Sequence, residues 1–280
     1  MSVKIIKDLP EEVYHSQRGE ETPLLTYSAV KTMVQKSPYH AYLNHPLLGA
    51  GEHKSTKAMD KGSIIHGLLL GSGQEVAVLD FDSYRTKAAQ EEKVASYEAG
   101  KIPILSKDYK EIEDALITIR NQIMELAPYF FDTDAERELS IKYSLDNGVK
   151  CQSRLDWIQP ETGRIIDLKT CADSSPDKLE KAILNFGYDI QEAMYTKACE
   201  KAYPEMAGRF TWEFLFIETS APYMVSIVET DSTMSFLGNH KLERASETWS
   251  QCLESGKWPG YGRFVVNAPM WAVSREEARG

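Results

Sequence analysis

The chain has 280 residues, 42% of them hydrophobic, enough to bury a substantial core and more consistent with one large domain than with two. A net charge of −10 and a sequence pI of about 5.2 exclude a broadly basic protein that coats nucleic acid through phosphate neutralisation, so any nucleic acid must be met in a local groove. No apolar run reaches membrane-spanning length, the opening MSVKIIKDLPEEVYHSQ has no apolar leader, and the four cysteines include no CxxC pair. A protein of the cytoplasm with buried free thiols is expected, without a zinc ribbon or an iron–sulfur cluster.

A single domain over 1–280 is expected, with a lead-in and helices over 1–57, a core over 58–230, and a C-terminal helix and tail over 231–280. Residues 1–25 are polar and interrupted by Pro10 and Pro23, which predicts a loosely ordered lead-in. Thr26 or Ser28 can cap a helix through Val30, Met33 and Val34 that stops before Pro38, because the residue ahead of a proline disfavours the helical region. A short helix over 39–44 and a flexible link from Gly49 follow.

Residues 58–71 read as an apolar helix carrying one imidazole, His66, on the same face as Gly62. A small residue there would let another backbone approach closely. A lone histidine on such a helix is more often a satisfied core residue than a ligand. Beyond it, a strand is predicted over 75–82 and charged amphipathic helices over 85–99 and 106–126, the second capped by Ser106. Glu136 and Glu138 precede a strand over 139–145. Either could reach a metal, although a solvated strand end is the commoner arrangement.

Two arms rich in apolar and β-branched residues then flank Pro160-Glu161-Thr162-Gly163, predicting a hairpin over 148–170. If those four residues form the loop, Asp156 falls opposite Asp167. Alternation puts Arg154, Asp156, Ile158, Ile165, Asp167 and Lys169 on one face, with Leu155, Trp157, Ile166 and Leu168 on a core face. Opposed side chains ~4.5–5.5 Å apart with like charges destabilise a sheet. A divalent cation with oxygen ligands, Mg²⁺ or Mn²⁺, would resolve that repulsion, and Lys169 could then orient a water or stabilise charge on a phosphoryl oxygen. The alternative is a surface hairpin whose acids are balanced by Arg154 and Lys169 as ordinary ion pairs.

Helices over 176–184 and 188–202 follow, the second presenting Gln191 and Tyr195 at i, i+4 as a possible grip for phosphate or ribose, or simply as a polar surface. Strands over 209–217 and 223–229 and a long helix over 232–255 complete the core. The segment 258–271, with several aromatics and no helical period, is expected to dock on its own core or on a neighbouring subunit.

Taken in order, Gly62-x-x-x-His66, Asp156, Asp167-Leu168-Lys169 and Gln191-x-x-x-Tyr195 resemble the motif series of the RecB-like PD-(D/E)xK nucleases, most closely the RecE-type exonucleases of phage-derived recombination systems. The resemblance implies a mixed α/β fold with a central sheet flanked by helices and an N-terminal helical elaboration. It implies that His66, Asp156, Asp167 and the main-chain carbonyl of Leu168 bind the metal, with Lys169 as the catalytic lysine and Gln191 and Tyr195 positioning DNA. It further implies 5′-to-3′ digestion of linear double-stranded DNA, a homo-oligomeric ring, and a RecT-like annealing protein that takes the 3′ overhang. Asp167 stands where many relatives carry Glu.

Overall fold

The structure is a computed structural model that describes residues 2–49 and 57–279. The link expected from Gly49 onward lies almost wholly outside those residues. Strand β1 (Lys4–Ile6) and helix α1 (Glu11–Ser16) open the chain, so the loosely ordered lead-in is corrected. Its polar composition conceals two anchors: Leu24 and Leu25 are fully buried. The Leu25 amide donates to the Lys150 carbonyl at 2.9 Å and the Gln152 amide donates back to Leu25 at 3.0 Å, so backbone pairing fixes the segment to the sheet.

Helix α2 (Tyr27–Gln35) is capped by Thr26, whose hydroxyl accepts from the Ala29 amide at 3.3 Å. Helix α3 (Pro38–Asn44) takes Pro38 in its first turn, where a missing N–H costs nothing. Helix α4 (Lys57–Leu70), strand β2 (Val76–Leu79), helix α5 (Lys87–Glu98), strand β3 (Ile102–Leu105) and helix α6 (Ser106–Leu126) follow. β3 goes unpredicted because it is only four residues long and contains Pro103. It pairs in parallel with β2 as a separate two-stranded sheet. Ser106 is not the expected cap; its hydroxyl donates to the Leu79 carbonyl at 3.1 Å and ties α6 to β2.

The main sheet contains β4 (Glu136–Ser144), β5 (Lys150–Gln159), β6 (Arg164–Cys171), β7 (Thr211–Glu218) and β8 (Val225–Glu229) in the order β1-β4-β5-β6-β7-β8. All neighbours are antiparallel except β6 and β7. That parallel pair needs a long crossover, supplied by α7 (Pro176–Phe186) and α8 (Tyr188–Ala202). Helices α9 (Ser232–Ser255) and α10 (Met270–Glu277) end the chain. A Cβ on Gly238 would lie 2.0 Å from the Asp189 carbonyl oxygen, so only glycine lets α9 cross α8 this closely.

Both faces of the sheet are core. Residues of α2, α7, α8 and α9 cover one face and residues of α4, α6 and β3 the other. Strict alternation would place Leu155 with Trp157, yet Leu155 packs with Ile158 while Trp157 joins Ile166 and Leu168 on the opposite side. The pleat therefore slips by one residue at Asp156. The β4–β5 register is the same on both sides of the slip, from Arg137–Trp157 to Leu139–Leu155, so no residue is inserted; only the 138–156 pair is missing, and Glu138 has φ +52°. Such a backbone costs a non-glycine residue about 1–2 kcal/mol. The predicted tail contact holds at its start: the Trp258 ring lies 5.2 Å from Trp249 and 5.4 Å from Tyr42, whereas Phe264, Val265 and Val266 are exposed.

Candidate active site

The hairpin register is as the turn predicts, with Gln159–Arg164, Ile158–Ile165 and Trp157–Ile166 paired, but the ladder stops there. Asp156 and Asp167 do not form the expected direct pair. Where the next pair would fall, the Asp156 carboxylate enters the gap and Oδ2 accepts from the Leu168 amide at 2.8 Å. The same oxygen is 3.1 Å from His66 Nε2, on α4. Asp167 is 1% exposed, with Oδ2 ion-paired to Lys169 Nζ and Oδ1 accepting from Gln191 Nε2 at 2.5 Å. Lys169 Nζ also lies 4.8 Å above the Tyr188 ring. The parted middle strands thus receive α4 from one core and α8 from the other.

Gly62 makes the approach of α4 possible, though against a side chain and not a backbone: a Cβ there would sit 2.5 Å from Thr170 Oγ1 on β6. Four residues on, His66 reaches Asp156. Its Nδ1 faces Glu138 Oε1 at 3.6 Å. Glu138 is held on its other oxygen by Arg154 Nε, and Arg154 Nη1 donates to the Leu9 carbonyl at 2.9 Å. Arg154 thus serves Glu138, and the two acids of the hairpin are balanced by His66 and Lys169.

The environments push the two aspartates apart. Burial raises Asp156, but the His66 charge and hydrogen bond, Lys169 and the Leu168 amide outweigh it and leave its pKa lowered. Burial dominates at Asp167 and, with the Asp156 charge, overrides Lys169 to push the carboxyl up to about 7. Burial pulls Lys169 down, but Asp167 and Asp156 keep its pKa raised, so the ammonium stays charged. His66 is likewise raised, because Asp156 and Glu138 outweigh its burial.

Gln191 and Tyr195 do not protrude as a surface grip; both are buried. Gln191 braces Asp167, while Tyr195 stands edge-on to Tyr27 and Trp212 at 6.5 and 6.1 Å between ring centroids. For Leu168, the amide is what meets Asp156. From the sequence, Glu136 and Glu138 are equal candidates to reach a metal, with a solvated strand end the commoner arrangement; both lie within β4, and only Glu138 faces His66. The turn at residues 146–148 sets a register that puts position 138 across from 156, and counting back along it is the signal that finds this residue. One ligand atom each from His66, Glu138 and Asp156 lie within 4.8 Å of one another. An imidazole and carboxylate oxygens suit a small divalent cation.

A mixed sheet whose central strands part to bring together an aspartate, an Asp-x-Lys pair and a histidine between flanking helices defines a nuclease core of the PD-(D/E)xK type, a class that works with divalent metals. The chain belongs to the family described as a PDDEXK-like domain of unknown function (DUF3799), which matches residues 26–264. Among solved structures, it is similar to a candidate exonuclease from Eubacterium rectale at 15% identity and a TM-score of 0.63, over 94% of this chain and 96% of that one. A phage-related exonuclease from Haemophilus somnus matches at 13% identity over 70% of this chain and 95% of that one, with a TM-score of 0.31 too low to carry an argument. Comparison with curated proteins finds no match. No helix among the described residues is long and apolar enough to cross a membrane.

Proposed function

We propose that the chain is a Mg²⁺-dependent 5′-to-3′ exonuclease acting on linear double-stranded DNA and leaving 3′ overhangs for recombination, with Mn²⁺ able to replace Mg²⁺. The observation that supports this reading best is the meeting of Asp156, His66 and the Asp167–Lys169 pair in the gap between β5 and β6. His66, Asp156, Asp167 and the Leu168 carbonyl would hold the cation. When bound, it supplies Lewis-acid polarisation of a phosphoryl oxygen and a more acidic water.

The protein's own groups do the rest. The charged ammonium of Lys169 opposes negative charge building on the phosphoryl oxygens. Gln191 fixes the orientation of Asp167 through its amide, and Tyr195 packs α8 against Tyr27 and Trp212 so that this amide is held in place. A homo-oligomeric ring with a basic passage and an acidic exterior would reconcile a net charge of −10 with a DNA substrate. A RecT-like annealing protein would receive the overhang.

Duplexes labelled at the 5′ or the 3′ end test this directly. The 5′ label should be released first, while the 3′ label stays on long strands. Persistent cutting of covalently closed circles would favour an endonuclease on the same core.

A further inference from the structure

Glu138 occupies a position that strand geometry does not account for. It lies inside β4 yet has φ +52°, and the pairs on either side of it, Arg137–Trp157 and Leu139–Leu155, bracket a missing pair opposite Asp156. Glutamate has no preference for the left-handed region; glycine, asparagine and aspartate do. Something other than backbone preference puts a carboxylate at this point.

The side chain is divided between two tasks. Oε2 is held by Arg154 Nε, and Arg154 is fixed in turn by the Leu9 carbonyl at 2.9 Å and by the Tyr14 ring, 5.8 Å from the guanidinium carbon. Oε1 faces His66, and its ligand atom, with those of His66 and Asp156, falls within a 4.8 Å group. Carboxylates that ligate metals are commonly braced on the second oxygen in this way. Gln191, whose amide holds Asp167, has its Oε1 buried and without a hydrogen-bond partner among the described residues, an acceptor left open for a group the site receives. Glu136, two residues earlier, is spent on an exposed ion pair with Lys7.

We propose that Glu138 is a further protein ligand to the divalent cation, on the His66–Asp156 side of the site, and that Arg154 is its positioning residue. The N-terminal segment then belongs to the metal centre, because Leu9 and Tyr14 hold the arginine that aims the ligand. This inference rests on the nuclease reading, since it adds a residue to that same site.

Calorimetric titration of the full chain with Mn²⁺ tests it without reference to activity. Glu138→Gln removes charge and ligand together, and Glu138→Asp keeps the charge, suits the positive φ better and withdraws the oxygen by one methylene. Both should bind Mn²⁺ about 10–100-fold more weakly than the parent, and Glu136→Gln should bind as the parent does. The loss in Glu138→Asp separates ligation from a field effect and from misfolding, because that backbone is relieved. Parental Mn²⁺ affinity in folded Glu138→Asp and Glu138→Gln, alongside lost binding in Asp156→Ala, overturns the role of Glu138 while leaving the nuclease reading intact. Parental affinity in Asp156→Ala as well overturns both.

Discussion

The Leu168 amide donates to Asp156 Oδ2 at 2.8 Å, at the point where the β5–β6 ladder would have continued with a pair between positions 156 and 167. A side chain has replaced a backbone acceptor. Asp156→Asn keeps a carbonyl oxygen for that amide and should unfold within about 1 kcal/mol of the parent, whereas Asp156→Ala strands the amide and should lose about 1–3 kcal/mol. Mn²⁺ at 100 times its Kd should stabilise the parent by about 2.7 kcal/mol and Asp156→Ala not at all. DNA digestion should fall about 10³-fold or more in both variants. Denaturant melts with and without Mn²⁺, together with digestion rates, check these outcomes.

Lys169→Ala removes the cation paired with a fully buried carboxylate. Burial already pushes Asp167 up to about 7 beside Lys169, so without that partner the acid takes up a proton, and the variant should lose about 1–3 kcal/mol in urea for the broken buried contact. Digestion should fall about 10²–10⁴-fold. A parental rate in the folded variant would remove Lys169 from the chemistry.

Gln191 acts through Asp167. Gln191→Leu should therefore weaken Mn²⁺ binding and slow turnover about 10–100-fold, with KM for DNA nearly unchanged. A residue that gripped the DNA strand directly would instead raise KM. Steady-state kinetics on a duplex of fixed length distinguishes the two.

Gly62 and Thr170 should be energetically coupled. Gly62→Ala forces a methyl to within 2.5 Å of Thr170 Oγ1 and should destabilise by about 1–3 kcal/mol while displacing His66. Thr170→Ala removes the obstructing hydroxyl and should recover much of that loss. A double-mutant cycle with additive effects would rule out the contact.

His45 gives the N-terminal segment a pH dependence. Its Nδ1 accepts from the Leu47 amide at 3.2 Å, which fixes the proton on Nε2, 3.1 Å from the Leu24 carbonyl. Burial lowers its pKa despite the Leu24 carbonyl, so the unfolded chain binds this proton more readily. Stability from this group is present above the ordinary histidine pKa of about 6.5 and is lost as the pH falls through the lower folded value. His45→Asn should flatten the fall in stability between pH 7 and 5 by up to about 1.4 kcal/mol per pH unit, read from urea melts across that range.

Much of the molecule was written in local signals. Pro160 to Gly163 fixed the hairpin register, so the neighbourhood of Asp156 and Asp167-Leu168-Lys169 followed from turn chemistry and period-two alternation. The limits of α8 and α9 followed from helical periodicity and their flanking residues. What the sequence could not settle were relationships between segments distant along the chain. The slip at Asp156 depends on a carboxylate taking the place of a backbone acceptor, and the inward facing of Gln191 depends on where the β6–β7 crossover lays α8. Glu138 cannot be told from Glu136, as a metal-reaching acid or a solvated strand end, until α4 brings His66 beside it and Leu9 fixes Arg154 behind it. Periodicity and turn residues record the conformational preferences of neighbouring residues, so they specify elements and registers; which side chains share one desolvated gap is decided only when the two cores close on the sheet.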